Sequence, residues 1–242
     1  ASIHPPTFVN VDMEEYRDLE LTLDAFERVL GAPQRRHLDA GIVLQAYLPD
    51  ALPALQRLAA FAAERHRDGG GTIKVRLVKG ANLAMERVDA AIHGWALAPY
   101  ANKADTDANY TRCLDWVLHP ERLVGMRIGV ASHNLFHVAW ALRMTERRGV
   151  TNQVQFEMLQ GMAEAQARAI AEAVGADRPL LYTPAVERAD FDVAIGYLFR
   201  RLEETAAPNN FLRALFSLEP ESQTFTSELS LIHISEPTRR RT

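Results

Sequence analysis

The sequence predicts an α/β fold built on a parallel sheet, and three observations lead there. Strand-like and helix-like stretches alternate six times along the chain, the pattern made by crossover helices between parallel strands. A polar or aromatic side chain closes nearly every strand-like run: Asp12, Gln45, Arg76, His133 and Tyr182. In a (βα)8 barrel the active site is assembled from such strand ends, one or two residues from each. No GxGxxG follows the first strand and no GxxxxGK[ST] occurs anywhere, so nothing marks a nucleotide-binding open sheet. A TIM-type barrel is favoured, with about six of its eight βα units counted.

In chain order, residues 8–12 (FVNVD) read as a strand ending in an acid. Residues 13–30 carry Leu19, Leu23, Phe26 and Leu30 at helical spacing. A second strand at 41–47 (GIVLQAY) precedes a helix at 49–67 with Leu52, Leu55, Leu58, Ala59 and Ala62 on one face. The third strand begins at Ile73 and is followed by a helix at 83–94, an insertion, and another helix from about 107 to 118. Strands at 126–133, 154–159 and 179–184 follow, with helices at 135–147, 162–174 and 191–204. A short apolar segment at 209–216 ends the patterned part.

The stretch IKVRLVKGANLAME, residues 73–86, is the most informative. Its apolar, β-branched run is bounded by Gly69, Gly70 and Gly71 before and Gly80 after, as expected of a strand covered on both faces. Yet Arg76 sits inside it and Lys79 at its end. Burying each cation costs several kcal/mol unless an anion or hydrogen-bond acceptors meet it. Either nearby carboxylates and carbonyls satisfy both, or they face an anionic or electron-accepting ligand at the mouth of the sheet.

Composition narrows the class. At 242 residues, 48 % hydrophobic and 24 % charged, the chain has the make-up of a soluble globular protein. A net charge of -4 gives no support to a nucleic-acid or anionic-membrane partner. Cys113 is alone, which excludes a disulfide framework and points to a reducing compartment. No apolar run approaches the ~20 residues of a membrane span. The start at Ala1 instead of a methionine points to a piece of something longer.

Several candidates have two readings. Asp12 is either functional or an N-cap with Glu15 as its capping-box partner. His133 and Asn134 stand at a strand-to-helix junction, where Asn is a common cap. The other histidines show no ligand spacing, so no metal site is expected, and no GxSxG elbow marks a serine hydrolase. Arg200, Arg201 and Glu204, in YLFRRLEE, share one region of a helix surface through i,i+3 and i,i+4 spacing. They form either a solvated salt-bridge stripe or a pair of guanidiniums for a planar carboxylate, with Glu204 fixing one of them.

Taken together, VNVDMEE, VLQAYLPD, VRLVKGA, ASHN, FEMLQGM, LYTP and YLFRRLEE resemble, in order, the proline dehydrogenase domain of bifunctional proline utilisation proteins of the actinobacterial type. The resemblance runs from about Thr7 to Leu218. It implies a (βα)8 barrel carrying FAD that oxidises L-proline to Δ1-pyrroline-5-carboxylate by hydride transfer to flavin N5, electrons passing to a membrane quinone. By position, Gln45, Arg76 and Lys79 match residues around the flavin, Arg76 being the one near N5. Gly80 and Ala81 match the turn over the cofactor, and Lys103, His133 and Asn134 match further cofactor-side positions. Asp12 matches an acid near the substrate end, and Leu159 and Tyr182 line the pocket for the proline ring. Arg200 and Arg201 match the pair that binds the proline carboxylate, with Glu204 beside them. The implied catalytic set is Arg76, Tyr182 and Asp12. The implied location is cytoplasmic, or peripheral at the inner membrane face.

Two departures stand out. After VKGA the family often carries aromatic residues, whereas this chain has Asn82 and Leu83. The family's first two strands, one bearing a carboxylate-binding lysine, and its aldehyde dehydrogenase half are not found. From Leu229 the sequence LSLIHISEPTR resembles the translation of a transposase-based sequencing adapter. The expected organisation is therefore a partial barrel at 1–218, a linker at 219–228 and a non-native tail at 229–242. Two other readings stay open: a barrel lyase using Lys79 as a Schiff base, and a truncated fragment with no activity of its own.

Overall fold

Short aliphatic runs bounded by glycine and polar turns become six strands: β1 (Val9–Val11), β2 (Ala40–Gln45), β3 (Ile73–Val78), β4 (Met126–Ala131), β5 (Val154–Leu159) and β6 (Leu180–Tyr182). The computed structural model describes residues 7–175, 179–183, 185–206, 211 and 218–231. The strands are all parallel and lie in the order β1-β2-β3-β4-β5-β6, so each pairs with its neighbour in sequence. Together they form a half-barrel, in agreement with the predicted class.

The helices are α1 (Leu19–Gly31), α2 (Ala51–Arg67), α3 (Leu83–His93), α4 (Lys103–Val117), α5 (Leu135–Arg147), α6 (Glu164–Val174), α7 (Phe191–Ala206) and α8 (Gln223–Leu231). Strand alternation sorts the side chains onto two faces. Ile73, Val75 and Leu77 are wholly buried in a core shared with Leu23 and Phe26 of α1, Leu55 and Leu58 of α2, and Tyr110 and Leu114 of α4. Each such side chain contributes about 1.5–3 kcal/mol when fully buried. Lys74 and Arg76 alternate with them and face the other side of the sheet. Asn102 and Asn134 accept from the backbone N–H groups of Asp105 and Phe136 and so cap α4 and α5. Helix α3 is the exception to the pattern: none of its residues is buried, and Met85, Val88 and Ile92 are exposed.

Three boundaries differ from the sequence reading. Helix α1 starts at Leu19, not at residue 13, because the Gln45 amide holds the carbonyls of Met13 and Glu14 and keeps that segment extended toward the sheet. Asp12 therefore caps no helix. Helix α4 begins four residues earlier than expected, at Lys103, on its Asn102 cap. Helix α8 takes up 223–228 of the expected linker and continues across the boundary at Leu229, while residues 232–242 lie outside the described residues. Of the apolar segment 209–216, Phe211 is described; it is buried and packs edge-on against Phe136.

The rim between α1, α2 and β3 is held by Arg65, which is 6 % exposed. Its Nε donates to the Leu30 carbonyl at 3.2 Å and its Nη1 to that of Gly71 at 2.5 Å. Nη2 reaches the carbonyls of Arg35, Arg36 and Leu38 at 3.1, 2.7 and 2.7 Å. Replacing Arg65 by Met leaves these carbonyls without their donor, and the expected cost is about 3 kcal/mol. Urea unfolding followed by circular dichroism measures it; a loss below ~0.5 kcal/mol would mean that water or backbone shifts take over the guanidinium's role.

Candidate active site at the strand ends

The predicted residues from β2 to β6 converge at the C-terminal end of the sheet. Gln45, 4 % exposed, closes β2. Its amide reaches back to Met13 and Glu14, and Asn82 donates to the same Glu14 carbonyl at 2.9 Å. The turn after β1 is thus pinned to the turn after β3, with Asn82 taking part. Asp12, just past β1, is exposed.

Arg76 is the centre of the arrangement. Its Nε donates to Glu157 Oε2 at 2.6 Å, and its guanidinium carbon lies 4.1 Å from the centroid of the Tyr182 ring. Tyr182 is the register partner of Leu159 across β5 and β6, so the two residues expected to line one pocket do stand side by side. The Leu159 N–H donates to His133 Nε2 at 3.2 Å. That bond requires an unprotonated Nε2, and burial, followed by the charge of Arg201, pushes the His133 pKa down to about 4. Arg201 on α7 therefore comes close to His133; the side chains of Arg200 and Glu204 lie outside the described residues.

The other cations are also met by carboxylates. Lys79 and Lys103 grip the two oxygens of Asp107, whose side chain is fully buried. Burial lowers the proton affinity of Lys79, with Asp107 opposing it. For Lys103 burial acts the same way, but Asp107 and Glu228 outweigh it and raise the pKa. Glu228 on α8 lies 3.5 Å from Lys103 Nζ and accepts from Asn134 Nδ2 at 2.6 Å. Asn134 thus serves both as the α5 cap and as a side-chain donor. Gly80 follows β3 with φ +115°, and a Cβ there would lie 2.6 Å from the Tyr47 ring, so only glycine fits. Ala81 beside it is exposed.

Glu157, Asp107, Lys74 and Glu228 were not singled out from the sequence. Glu157 carries the same signal as Arg76, a charge inside an apolar strand (VQFEML).

Two neutral histidines set the acid response of this region. The unfolded chain protonates each near pH 6.5, whereas the folded chain holds His133 down to about 4 and His137 to about 3. Unfolding therefore takes up protons between these values, and stability falls as pH drops from about 6.5 toward 4. His133→Gln, which keeps an acceptor for Leu159 N–H, is expected to remove about one of the two protons taken up near pH 5. Urea midpoints from pH 7 to 4.5 measure this; an unchanged pH slope would mean that His133 is already protonated in the folded state.

A profile of the proline dehydrogenase family matches residues 3–214. The bifunctional protein PutA of Escherichia coli (strain K12) is 28 % identical over 213 residues, 86 % of this chain and 16 % of that protein. The human mitochondrial proline dehydrogenase 1 is 36 % identical over 124 residues, 50 % of this chain and 20 % of that protein. The structure of PutA from Corynebacterium freiburgense superimposes with a TM-score of 0.81 at 49 % identity, covering 100 % of this chain and 24 % of that one. PutA from Bdellovibrio bacteriovorus inactivated by N-propargylglycine gives 0.79 at 34 %, covering 93 % and 22 %. The chain thus spans about a quarter or less of these relatives' length. Its match over most of its residues, with the strand ends converging as described, makes it a member of the proline dehydrogenase family.

Proposed function

We propose that this chain supplies the catalytic barrel of an FAD-dependent dehydrogenase that oxidises L-proline to Δ1-pyrroline-5-carboxylate and hands the electrons to a quinone. In this reading it works within a longer polypeptide that also carries an aldehyde dehydrogenase domain. Its place is the cytoplasm or the inner face of the membrane. The observation that carries the reading is Arg76: a guanidinium held at the mouth of the sheet by a buried carboxylate and stacked on Tyr182, beside Leu159.

The residues present suit a flavin dinucleotide. Lys103 and Asn134 already serve an anion, the carboxylate of Glu228, so they are equipped for an anionic group, with Lys79 behind them. Gln45 and the turn at Gly80, which lacks a Cβ, and Ala81 line the approach from β2 and β3, and His133 adds a neutral ring. When bound, FAD supplies the acceptor for the hydride leaving proline C5. The chain orients the substrate: Arg200 and Arg201 take the carboxylate, Glu204 holds one of them, and Tyr182 and Leu159 pack the ring. Asp12 stands at the substrate end, and Arg76 supplies fixed positive charge where negative charge develops. The alternative, a Schiff base on Lys79, draws support from its burial, which lowers the proton affinity of the amine; the ion pair with Asp107 opposes that lowering and ties the amine to a carboxylate.

Arg76→Met is expected to slow flavin reduction by proline about 100-fold or more while FAD content stays near that of the unsubstituted protein. Stopped-flow absorbance near ~450 nm reads both; reduction at the original rate in a flavin-replete variant would remove Arg76 from the reaction.

Arg201→Lys keeps the charge but loses the planar fork, so the proline KM is expected to rise about tenfold while pyrrolidine, lacking the carboxylate, is unaffected. Equal losses for both substrates would show that the arginine supports the helix instead of reading the carboxylate.

A further inference from the structure

The inner face of the sheet carries one carboxylate shared by two cations, and the roles above account for only one of the cations. Glu157 has a fully buried side chain. Its Oε2 accepts from Arg76 Nε at 2.6 Å and its Oε1 lies 2.5 Å from Lys74 Nζ. Lys74, itself 6 % exposed, also donates to Gln155 Oε1 at 2.5 Å. The carboxylate must reach from β5 to β3 across β4, and it does so over Gly129, where a Cβ would lie 2.2 Å from Glu157 Oε1.

Two details argue against a simple neutralising clamp. Glu157 holds Arg76 through Nε, which fixes the plane of the guanidinium against the Tyr182 ring and leaves the Nη groups clear of the carboxylate. Among the described residues the group holds two cations and one anion, so a positive charge is left over on a buried face, where interactions are weakly screened. Lys74 stands toward the opposite end of the strand from the substrate residues and draws half of the carboxylate to itself.

We infer that Glu157 is a positioning residue for Arg76 and that Lys74, by sharing its carboxylate, sets how much positive charge Arg76 presents at the sheet mouth. The inference rests on the flavin-side role proposed for Arg76. It makes a signed demand that a structural clamp does not. Removing the carboxylate charge and removing the Lys74 charge must move one electrostatic property in opposite directions, although both weaken the same cluster.

The experiment compares Glu157→Gln and Lys74→Met with the unsubstituted chain by two readouts. In the FAD-loaded protein, the midpoint potential of the flavin is expected to rise in Glu157→Gln and fall in Lys74→Met. In the flavin-free protein, the Arg76 Nε–H resonance seen by 15N NMR is expected to exchange with solvent about tenfold faster or more in Glu157→Gln, and to stay protected in Lys74→Met. Potentials that shift in the same direction, or not at all, overturn the charge-sharing inference while leaving the flavin reading intact. Unchanged Nε–H exchange in Glu157→Gln overturns the positioning role. A protein that takes up no flavin defeats the flavin reading instead, and the exchange measurement then decides on its own whether Glu157 orients Arg76.

Discussion

A carboxylate sealed inside a parallel sheet needs partners, because leaving an ion buried and unmatched costs several kcal/mol. Glu157 has two, and much of the inner face is arranged around supplying them. Lys74 and Arg76 stand two residues apart on β3, which places both on one face. Gly129 of β4 gives up its side chain so that the carboxylate can pass. Tyr182 of β6 covers the guanidinium from the far side. Three strands beyond β3 are thus committed to one ionic group, and a change in any of them reaches Arg76.

A second buried carboxylate repeats the device one layer outward. Asp107 of α4 holds Lys79 and Lys103, and Glu228 of α8 extends that chain to Lys103 and Asn134. Arg76, Lys79 and Lys103 therefore collect toward the C-terminal edge of the sheet, each with a carboxylate partner. Each keeps a defined direction because its partner lies on a rigid element. Preorganised charge of this kind is the form in which a protein acts most strongly on chemistry, since it pays no reorganisation when the reaction occurs.

The sheet was largely legible in the sequence because six apolar runs and the glycines around them speak for themselves. Arg76 was legible because a cation inside such a run has to be explained. Glu157 in VQFEML carried the same anomaly, but one charge in a strand says nothing about which other strand bears its partner; that comes from register and from Gly129. Asp107 was hidden by the placement of the helix start at 107, which made an interior acid look like a terminal one. The late start of α1 was not legible at all, since it depends on Gln45 capturing two carbonyls some thirty residues earlier in the chain. Helix α8 was equally unreadable: its nine residues, QTFTSELSL, carry little apolar periodicity, and its position is marked by Glu228 and by Phe225 against Phe136.

The strand order has a consequence for how the chain assembles. Because every strand pairs with its successor, the paired residues that open each strand pair lie from 23 positions apart, at Glu157 and Leu180, to 53, at Ile73 and Met126. Loop-closure entropy differs by only about 0.7 kcal/mol over that range, so no neighbouring pair carries a much larger closure cost than another. The ionic group spans more of the chain: Arg76 and Glu157 are 81 positions apart, which adds only about 0.4 kcal/mol of closure cost over the widest neighbouring pair. The strand that extends the sheet at β5 is therefore also the one that brings a carboxylate to Lys74 and Arg76.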